Sequence, residues 1–434
     1  MELIIKNGRV VDPYTKKDEV LDIYIKDGII KKIGKNLDIK CEKEFNAKNM
    51  IVTPGLIDIH THLREPGYES KERISTGTKS AACGGFTAVV CMPNTNPPID
   101  NQAAVKLIHY IAENEGFVKV YPVAAVTKGL AGEELTEFGD LYRVGVVGFS
   151  DDGNPIKNSE IMRRALEYAK MFDLPIMDHC EDIQLSNDGT INEGYYSTIK
   201  GLKGIPTVSE SVIVARDILL TKYTQSKIHL LHITTKDSVE LIKIAKEEKV
   251  KVTSEVCPHH FALSDKDIPG YDTNYKVNPP LRSEEDRKAL IAGLKDGTID
   301  VIASDHAPHT IFEKEKEFNY APFGIIGLET VVPLTFMHLI EPGHLSIMEA
   351  ISKLTINPAK ILNIKRNNIT EGEVADITVI NPNLELIYKK ELIASKSINS
   401  PFINKKLKAF PVLTIVQGKI IMEREKDGTP LIKK

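Results

Sequence analysis

The sequence predicts an α/β protein: a (β/α)8 TIM barrel with a small β-sandwich domain formed from both chain ends. Three observations predict this fold. Short apolar runs rich in Val and Ile alternate with segments of helical period between residues 52 and 310, as in a parallel sheet built from βα units. Each of these runs ends, at its C-terminal side, in a cluster of polar residues. Both chain ends show the two-residue alternation of strands buried on one face.

Eight apolar runs occupy the central region, and eight strands close a (β/α)8 barrel. Helix punctuation lies between them: Ser283 and Asp286 form a capping box, and Gly297 lies near the end of that helix. The pair Gly84 and Gly85 is interpreted as a helix end, because no lysine of a phosphate loop follows. The eight runs are residues 54–63, 86–94, 118–126, 146–152, 174–182, 227–234, 250–260 and 298–309.

The two chain ends are predicted to pair with each other. In residues 1–53 and 373–434, apolar and polar side chains alternate with period two between turns. Neither segment is large enough to form a stable sheet by itself. We therefore expect residues 1–53 and 366–434 to form the two parts of one β-domain. The hydrolase barrel is expected to span residues 54–365.

Composition indicates a protein that acts on small molecules. The 434 residues carry 56 Lys and Arg against 60 Asp and Glu, a net charge of −4, so there is no basic footprint for nucleic acid. No run approaches the roughly 18 apolar residues of a membrane helix, and the start lacks a signal-peptide pattern. The five cysteines have no C-x-x-C spacing, which favours reduced thiols and a cytoplasmic location.

Imidazole and carboxylate side chains gather at the ends of the predicted strands. His60 and His62 are two apart, so on a strand both point to the same face. One such pair is weak evidence for a metal site, and any single member could be a satisfied core-edge residue. His179, His232 and Asp305 end three further apolar runs at the same end of the barrel. A shared divalent cation is the economical partner, and this ligand set is typical of catalytic zinc.

Neighbouring polar residues are given other roles. Asp151 and Asp152 are adjacent on the fourth run and must point to opposite faces, so one of them can be a ligand. That run contains no lysine that could be carbamylated to bridge two metals. Cys180 and Cys257 are expected to pack away from the site. One imidazole of the pair His259 and His260 is expected to line it, and residues 314–317 are expected to form a solvated, mobile loop.

Two longer motifs resemble the signatures of dihydroorotases. They are DIHTHLREP at residues 58–66 and ASDHAPHTIFEK at residues 303–314. The similarity spans essentially the whole chain and is strongest to the long-chain bacterial and archaeal type. Further blocks that resemble this family are MPNT at 92–95, FSDDG at 149–153, HCE at 179–181, NPP at 278–280 and APFG at 321–324.

The resemblance implies a site with one or two zinc ions and a small-molecule substrate. It implies His60, His62 and Asp305 on one ion, and His179 and His232 on a second, with Asp152 bridging. The implied substrate contacts are Arg64, Asn94 and His309 to the carboxylate, and Asn278 with the backbone around Phe323 and Gly324 to the ring. It further implies a homo-oligomer, specifically a dimer, while association with aspartate transcarbamoylase stays open.

The implied reaction is the reversible, zinc-dependent cyclisation of N-carbamoyl-L-aspartate to dihydroorotate in pyrimidine synthesis. Zinc lowers the pKa of coordinated water to about 7 and polarises a carbonyl, and Asp305 is the expected general base and acid. Allantoinase, hydantoinase or dihydropyrimidinase activity is the nearest alternative. Arg64 argues against it, since those substrates lack the ring carboxylate that a guanidinium would bind. A non-catalytic dihydroorotase-like subunit is the other alternative, but none of the six ligands is missing.

Overall fold

A computed structural model describes residues 2–365 and 368–434. The expected boundary between barrel and C-terminal β segment falls at Arg366, which lies outside the described residues. The strands, numbered in chain order, are β1 Glu2–Asp12, β2 Lys17–Lys26, β3 Ile29–Gly34, β4 Lys43–Asn46, β5 Ile51–Pro54, β6 Leu56–Thr61, β7 Phe86–Cys91, β8 Lys119–Pro122, β9 Ile176–Asp178, β10 Ile191–Asn192, β11 Gly204–Ile205, β12 Ile228–Leu230, β13 Val252–Val256, β14 Val301–Ile302, β15 Ile377–Ile387, β16 Lys406–Val416, β17 Lys419–Arg424 and β18 Pro430–Ile432.

Eight parallel segments close into a barrel. Strands β6, β7 and β8 form one arc, and β9, β12, β13 and β14 form the other. The fourth segment contributes a single residue to the ladder: Phe149 bridges Ala124 on one side and Ile176 on the other. A parallel bridge from Thr61 to His306 closes the circle. The prediction of a (β/α)8 barrel is therefore confirmed.

Helices alternate with the barrel segments as predicted. The capping box of Ser283 and the left-handed Gly297 bound α10, as their spacing indicated, and α1 ends at Cys83 with Gly84 as its C-cap. The helices are α1 Ile74–Cys83, α2 Gln102–Glu115, α3 Phe138–Arg143, α4 Ser159–Lys170, α5 Ile183–Ser186, α6 Tyr195–Lys200, α7 Val208–Thr224, α8 Lys236–Glu247, α9 Pro258–Ala262, α10 Glu284–Asp296, α11 Ile311–Lys314, α12 Val331–Thr335, α13 Ile347–Leu354 and α14 Ile356–Ile361.

The barrel interior is packed and plugged at its N-terminal end. Inward-facing aliphatic side chains from seven of the eight segments, among them Ile57, Val90 and Val301, form one buried cluster. Ala359 and Leu362, in and just after α14, belong to the same cluster and close that end. The C-terminal end of the barrel is thereby left as the open face, where the loops build a site.

Both chain ends form one β-domain, as predicted. Its nine strands run in the order β18-β17-β16-β15-β5-β1-β2-β3, with β4 also paired to β1. The ends meet where β5 pairs antiparallel with β15. Ile23 of β2 and Leu413 of β16 are distant in strand order but share one buried cluster, so the sheet folds over on itself as a sandwich.

Two local expectations are wrong. The seventh apolar run does not continue as a strand to residue 260: β13 ends at Val256, and Pro258 begins the short helix α9, because proline suits the first turn of a helix. The charged run at 314–317 is not a wholly solvated loop, since Lys314 ends α11 and is buried.

None of the helices in the described ranges has the length and apolar character needed to span a membrane.

Candidate active site

A cavity of about 350 Å³ opens at the C-terminal end of the barrel. Its walls come from the loops that follow the barrel strands, so residues far apart in sequence meet there. His60 lies fully buried among the same residues. The predicted site residues that line the cavity are His62, Arg64, Asn94, Asp152, His179, His232, Asn278, Asp305, His309, Phe323 and Gly324.

Four imidazoles converge on two carboxylates. His60 Nε2 lies 3.6 Å from Asp305 Oδ1, and His62 Nε2 lies 3.0 Å from the same oxygen. On the other side, His179 Nδ1 and His232 Nε2 are 2.9 Å apart. The structure therefore brings all these predicted ligands together at one end of the barrel.

Asp152 stands between the two imidazole pairs and presents one oxygen to each. Its Oδ2 lies 3.6 Å from His60 Nε2 and 3.4 Å from His62 Nε2. Its Oδ1 lies 3.6 Å from both His179 Nδ1 and His232 Nε2. A carboxylate placed in this way has the geometry of a bridging ligand.

These residues fit a divalent metal. Atoms that share a tetrahedral zinc at about 2.0–2.1 Å are separated by roughly 3.4 Å, close to most of the 3.0–3.6 Å separations between these imidazole nitrogens and carboxylate oxygens. Within the described part of the chain, the buried atoms His60 Nε2 and Asp152 Oδ1 have no hydrogen-bond partner. Buried polar atoms without partners are costly, and both face the position that a metal would take.

Three of the four imidazoles are oriented by a hydrogen bond from the ring nitrogen that points away from the site. His60 Nδ1 donates to Glu255 Oε1 at 2.5 Å, and His62 Nδ1 donates to Asn94 Oδ1 at 2.9 Å. His179 Nε2 donates to a Glu181 oxygen at 2.9 Å. Such acceptors set the tautomer and leave the other nitrogen with a free lone pair, as metal ligation requires.

The electrostatics keep the site carboxylates ionised. Burial raises the pKa of Glu255, but the imidazoles of His60 and His229 outweigh it and lower the pKa to about 2. Burial likewise opposes ionisation of Asp152 and Asp305. The imidazoles, chiefly His60, nevertheless hold the pKa values of both carboxylates well below the ordinary range, because the carboxylates keep His60 protonated until a cation takes the place of its proton. Carboxylates in their charged form are the form that binds a cation.

Positive backbone φ angles mark the positions where barrel strands turn into site loops. Arg64, His232 and Asp305 have φ values of 62°, 31° and 45°, which cost free energy in residues other than glycine and cluster at functional sites. Strand alternation therefore does not explain why Arg64 faces the cavity, because β6 ends at Thr61. The left-handed turn directs the Arg64 side chain, whose Nε donates to the Pro308 carbonyl at 3.2 Å.

A cluster of cations surrounds His309 beside the metal-ligand group. Arg64 Nη2 lies 3.3 Å from His309 Nε2, and Lys71 Nζ lies 3.4 Å from His309 Nδ1. Burial, then the charges of Arg64, Lys71 and Lys314, lower the pKa of His309 to about 2, so its imidazole is neutral. Lys71 has a carboxylate partner in Glu313 at 2.9 Å. The surplus positive charge makes this side of the cavity a place for an anion.

Asn278, Phe323 and Gly324 form a further part of the cavity wall, and Gly324 lies beside His309. The Asn278 amide donates to Glu181 Oε2 at 2.9 Å, which links this wall to His179. Gly324 has φ of +123°, and a Cβ there would lie 2.8 Å from Ala307 Cβ. Only glycine fits this position without displacing its neighbours.

The family model described as dihydro-orotase-like matches residues 49–238. The dihydroorotase of Acetivibrio thermocellus is 50% identical over 424 residues, which cover 98% of this chain and 99% of that protein. The dihydroorotase of Endomicrobium trichonymphae is 51% identical, covering 98% of this chain and all of that one. The chain belongs to the dihydroorotase family.

Solved structures with the same fold include hydantoinases and dihydropyrimidinases. L-hydantoinase from Arthrobacter aurescens superposes with a TM-score of 0.88 at 25% identity, covering 99% of this chain and 97% of its own. Dihydropyrimidinase from Brevibacillus agri superposes with a TM-score of 0.86 at 22% identity, covering 99% and 96%. The barrel-plus-sandwich fold of this dihydroorotase-family chain is thus shared with these proteins.

Further polar residues of this dihydroorotase-family sequence have partners other than the proposed ligands. Asp151 accepts the backbone N–H groups of Val126 and Thr127 at 2.8 and 3.1 Å. Asp178 lies near the Arg216 guanidinium, at 3.7 Å. His260 Nε2 donates to the Pro279 carbonyl at 2.9 Å. The expectation that one of His259 and His260 lines the site rested on strand alternation, which does not hold in helix α9.

Two residues that position the site were not identified from the sequence. Glu255 is an acidic residue inside the predicted seventh strand, and a charge at such a position is a signal that could have found it. Asn399 carries no such signal. Its amide donates to the carbonyls of Ala307 and Gly324, both at 3.1 Å, and its Oδ1 accepts the His309 backbone N–H. It reaches the barrel from the C-terminal part of the chain.

Proposed function

We propose that this chain is a zinc-dependent dihydroorotase, which interconverts N-carbamoyl-L-aspartate and (S)-dihydroorotate plus water in pyrimidine synthesis. The observation that carries the proposal is the position of Arg64. Among the described residues, its hydrogen-bond contacts are the Pro308 carbonyl and His309, so no carboxylate neutralises it at close range. An unneutralised guanidinium beside a metal-ligand group fits a substrate that carries both an amide and a carboxylate.

The ligand set favours zinc as the metal. Imidazole and carboxylate donors with open positions are typical of catalytic zinc. We assign His60, His62 and Asp305 to one ion and His179 and His232 to a second, with Asp152 between them. When bound, zinc supplies hydroxide at neutral pH and polarises the carbonyl under attack.

Asp305 is assigned the proton transfer. Its carboxylate lies at the cavity wall and is held in the ionised form by the surrounding imidazoles. In the hydrolytic direction it takes a proton from the attacking water and delivers it to the departing ring nitrogen. In the direction of ring closure the same oxygen removes the proton from the carbamoyl nitrogen.

Arg64, His309 and Asn94 are assigned to the substrate carboxylate, and the wall formed by Asn278, Phe323 and Gly324 is assigned to the ring. Arg64 supplies a charged fork, and the neutral His309 imidazole lies beside it, 3.3 Å from Arg64 Nη2. The Asn94 amide keeps one N–H for this purpose, because the other donates to the Asp152 carbonyl at 3.2 Å. Asn278 and the backbone at Phe323 and Gly324 face the ring atoms.

Arg64→Ala tests the substrate assignment. A charge-assisted hydrogen bond contributes about 1.5–3 kcal/mol, and stranding a partly desolvated carboxylate raises the cost toward about 3–5 kcal/mol. We expect kcat/KM for dihydroorotate to fall by about 10²–10³ with metal content unchanged. Dihydrouracil has the same ring amide without the carboxylate, and should be a poor substrate that loses little from the substitution.

The control for Arg64→Ala is Arg9→Ala, which removes a guanidinium paired with Asp18 on the β-domain surface. It should leave turnover of both substrates unchanged. A native protein that prefers dihydrouracil, allantoin or a hydantoin would overturn the substrate assignment, as would full dihydroorotate turnover by Arg64→Ala.

The dimer remains a prediction, and sedimentation of the purified protein tests it. Association with aspartate transcarbamoylase is tested by co-purification.

A further inference from the structure

Lys276 places a buried ammonium group in a cage of backbone carbonyls. Its Nζ donates to the carbonyls of Phe318, Asn319 and Ala321 at 2.7, 3.1 and 2.7 Å. The residue is 3% exposed. An ammonium carries three hydrogens, and these three acceptors use all of them.

The partners of this ammonium are unusual for a buried lysine. Buried charges are ordinarily paired with an opposite charge, whereas the hydrogen-bond acceptors of Lys276 in the described ranges are peptide carbonyls. Burial lowers its pKa to about 8, while the three acceptors favour the charged form. The hydrogen bonds that stabilise this buried charge thus all go to one segment of backbone, residues 318–324.

The same lysine touches the cavity wall that this segment forms. Its ammonium lies 4.6 Å from the centroid of the Phe323 ring, a cation–π contact. Its own carbonyl accepts the Gly324 N–H at 2.9 Å. Asn278, on the same wall, follows two residues later in the chain. Lys276 therefore joins the two pieces of chain from which this wall is built.

A second buried lysine completes the hold on the segment. Lys314 Nζ donates to the carbonyls of Pro322 and Gly324, both at 3.0 Å. Residues 318–324 form no helix or strand, so few ladder hydrogen bonds fix their backbone. The two lysines together donate hydrogen bonds to five of the seven carbonyl groups of this segment.

We propose that Lys276 is a positioning residue for the substrate, which holds residues 318–324 in the conformation that presents Phe323 and Gly324 to the ring. Lys314 supports the same conformation. The identity of the substrate rests on the proposed function, but the hold on the backbone does not. Without the ammonium, the segment samples other conformations, and substrate must select the competent one.

Lys276→Met tests the proposal, because methionine keeps much of the side-chain volume and removes the donors. If the competent conformation falls to about a tenth of the population, KM for dihydroorotate rises about tenfold, while kcat stays within about twofold. Amide hydrogen exchange of residues 318–324 should speed up by a similar factor. Metal content should stay unchanged.

Lys353→Met is the matched control. Lys353 is also buried, its pKa is also lowered to about 8 by burial, and its Nζ donates to the Ile299 carbonyl at 2.6 Å. Ile299 precedes β14 and so lies at the N-terminal end of the barrel, away from the cavity. This variant should lower stability without changing KM or exchange at 318–324.

Equal KM and equal exchange in Lys276→Met and Lys353→Met would overturn the proposal, as would a fall in kcat with KM unchanged. If Lys276→Met does not fold, Lys314→Met is measured in the same way, with the same direction of change expected and the same results against it. If the native protein does not turn over dihydroorotate, the proposed function fails, and the exchange of residues 318–324 alone decides the role of Lys276.

Discussion

His60 shows how a single side chain is prepared for metal binding. Its Nδ1 donates to Glu255, so its Nε2 carries the lone pair and faces Asp152 and Asp305. The carboxylate of Glu255 is shared, because its other oxygen lies 3.1 Å from His229 Nε2. One buried glutamate thus fixes the tautomer of a proposed ligand and is itself held in place.

Glu255→Gln should weaken metal binding without removing any proposed ligand. Loss of an acceptor behind a metal-binding imidazole typically costs about 10–100-fold in metal affinity. Competition with a chromophoric chelator measures the affinity. The control is Glu248→Gln, which removes an exposed carboxylate paired with Lys222. Unchanged zinc affinity in Glu255→Gln would show that Glu255 does not orient His60 for the metal.

Asp305→Asn should abolish turnover while the fold survives. The amide can neither take the proton of water nor give one to the ring nitrogen, and loss of general acid–base catalysis costs about 10²–10⁴ in rate. Weaker metal ligation would add to this loss. Steady-state turnover of dihydroorotate measures it. More than a tenth of native activity remaining in this variant would mean that another group, His309 being the nearest candidate, moves the proton.

At the scale of elements, strand ends were predictable and loops were not. Parallel strands of a barrel all end at one face, so His60, His179 and Asp305 could be brought together from their positions in apolar runs. The segment 318–324 depends instead on contacts outside its local sequence, such as those from Lys276, which lies 42 to 45 positions earlier in the chain than the carbonyls it binds. The burial of Lys314 requires carbonyls from residues eight and ten positions away, and its local sequence of charged residues carries no trace of them.

Gly324→Ala tests the close packing of the segment 318–324 against the loop after β14. The added Cβ would lie 2.8 Å from Ala307 Cβ and 3.0 Å from the Ala307 carbonyl oxygen, so the segment must shift. We expect KM for dihydroorotate to rise about tenfold or more, since a wall displaced by a fraction of an ångström contacts the ring poorly.

Gly343→Ala provides the control for that substitution. Gly343 also has a positive φ, 77°, but a Cβ there would meet nothing within 4 Å. Both variants place alanine at a positive φ, which costs about 1–3 kcal/mol, and only the one at residue 324 also clashes. Equal kinetics in the two variants would show that the site tolerates movement of this wall.

At the scale of the whole molecule, the β-domain and the barrel share the site. We propose the limits 1–53 and 366–434 for the β-domain and 54–365 for the barrel. The chain between β15 and β16, residues 388–405, nevertheless leaves the sheet and brings Asn399 to the loops that carry His309 and Gly324. The sequence analysis placed these residues in the β-domain. Periodicity indicates local secondary structure, but it does not indicate against which domain a connecting segment packs.

The central claim, a metal-dependent dihydroorotase, is tested most directly by turnover on metal-depleted and zinc-reconstituted protein. Ultraviolet absorbance follows dihydroorotate and dihydrouracil in parallel, with elemental analysis of each sample. We expect one to two zinc ions per chain, loss of activity with the metal, recovery on adding zinc, and strong preference for dihydroorotate. Full activity in metal-free protein, or preference for dihydrouracil after reconstitution, would contradict the claim.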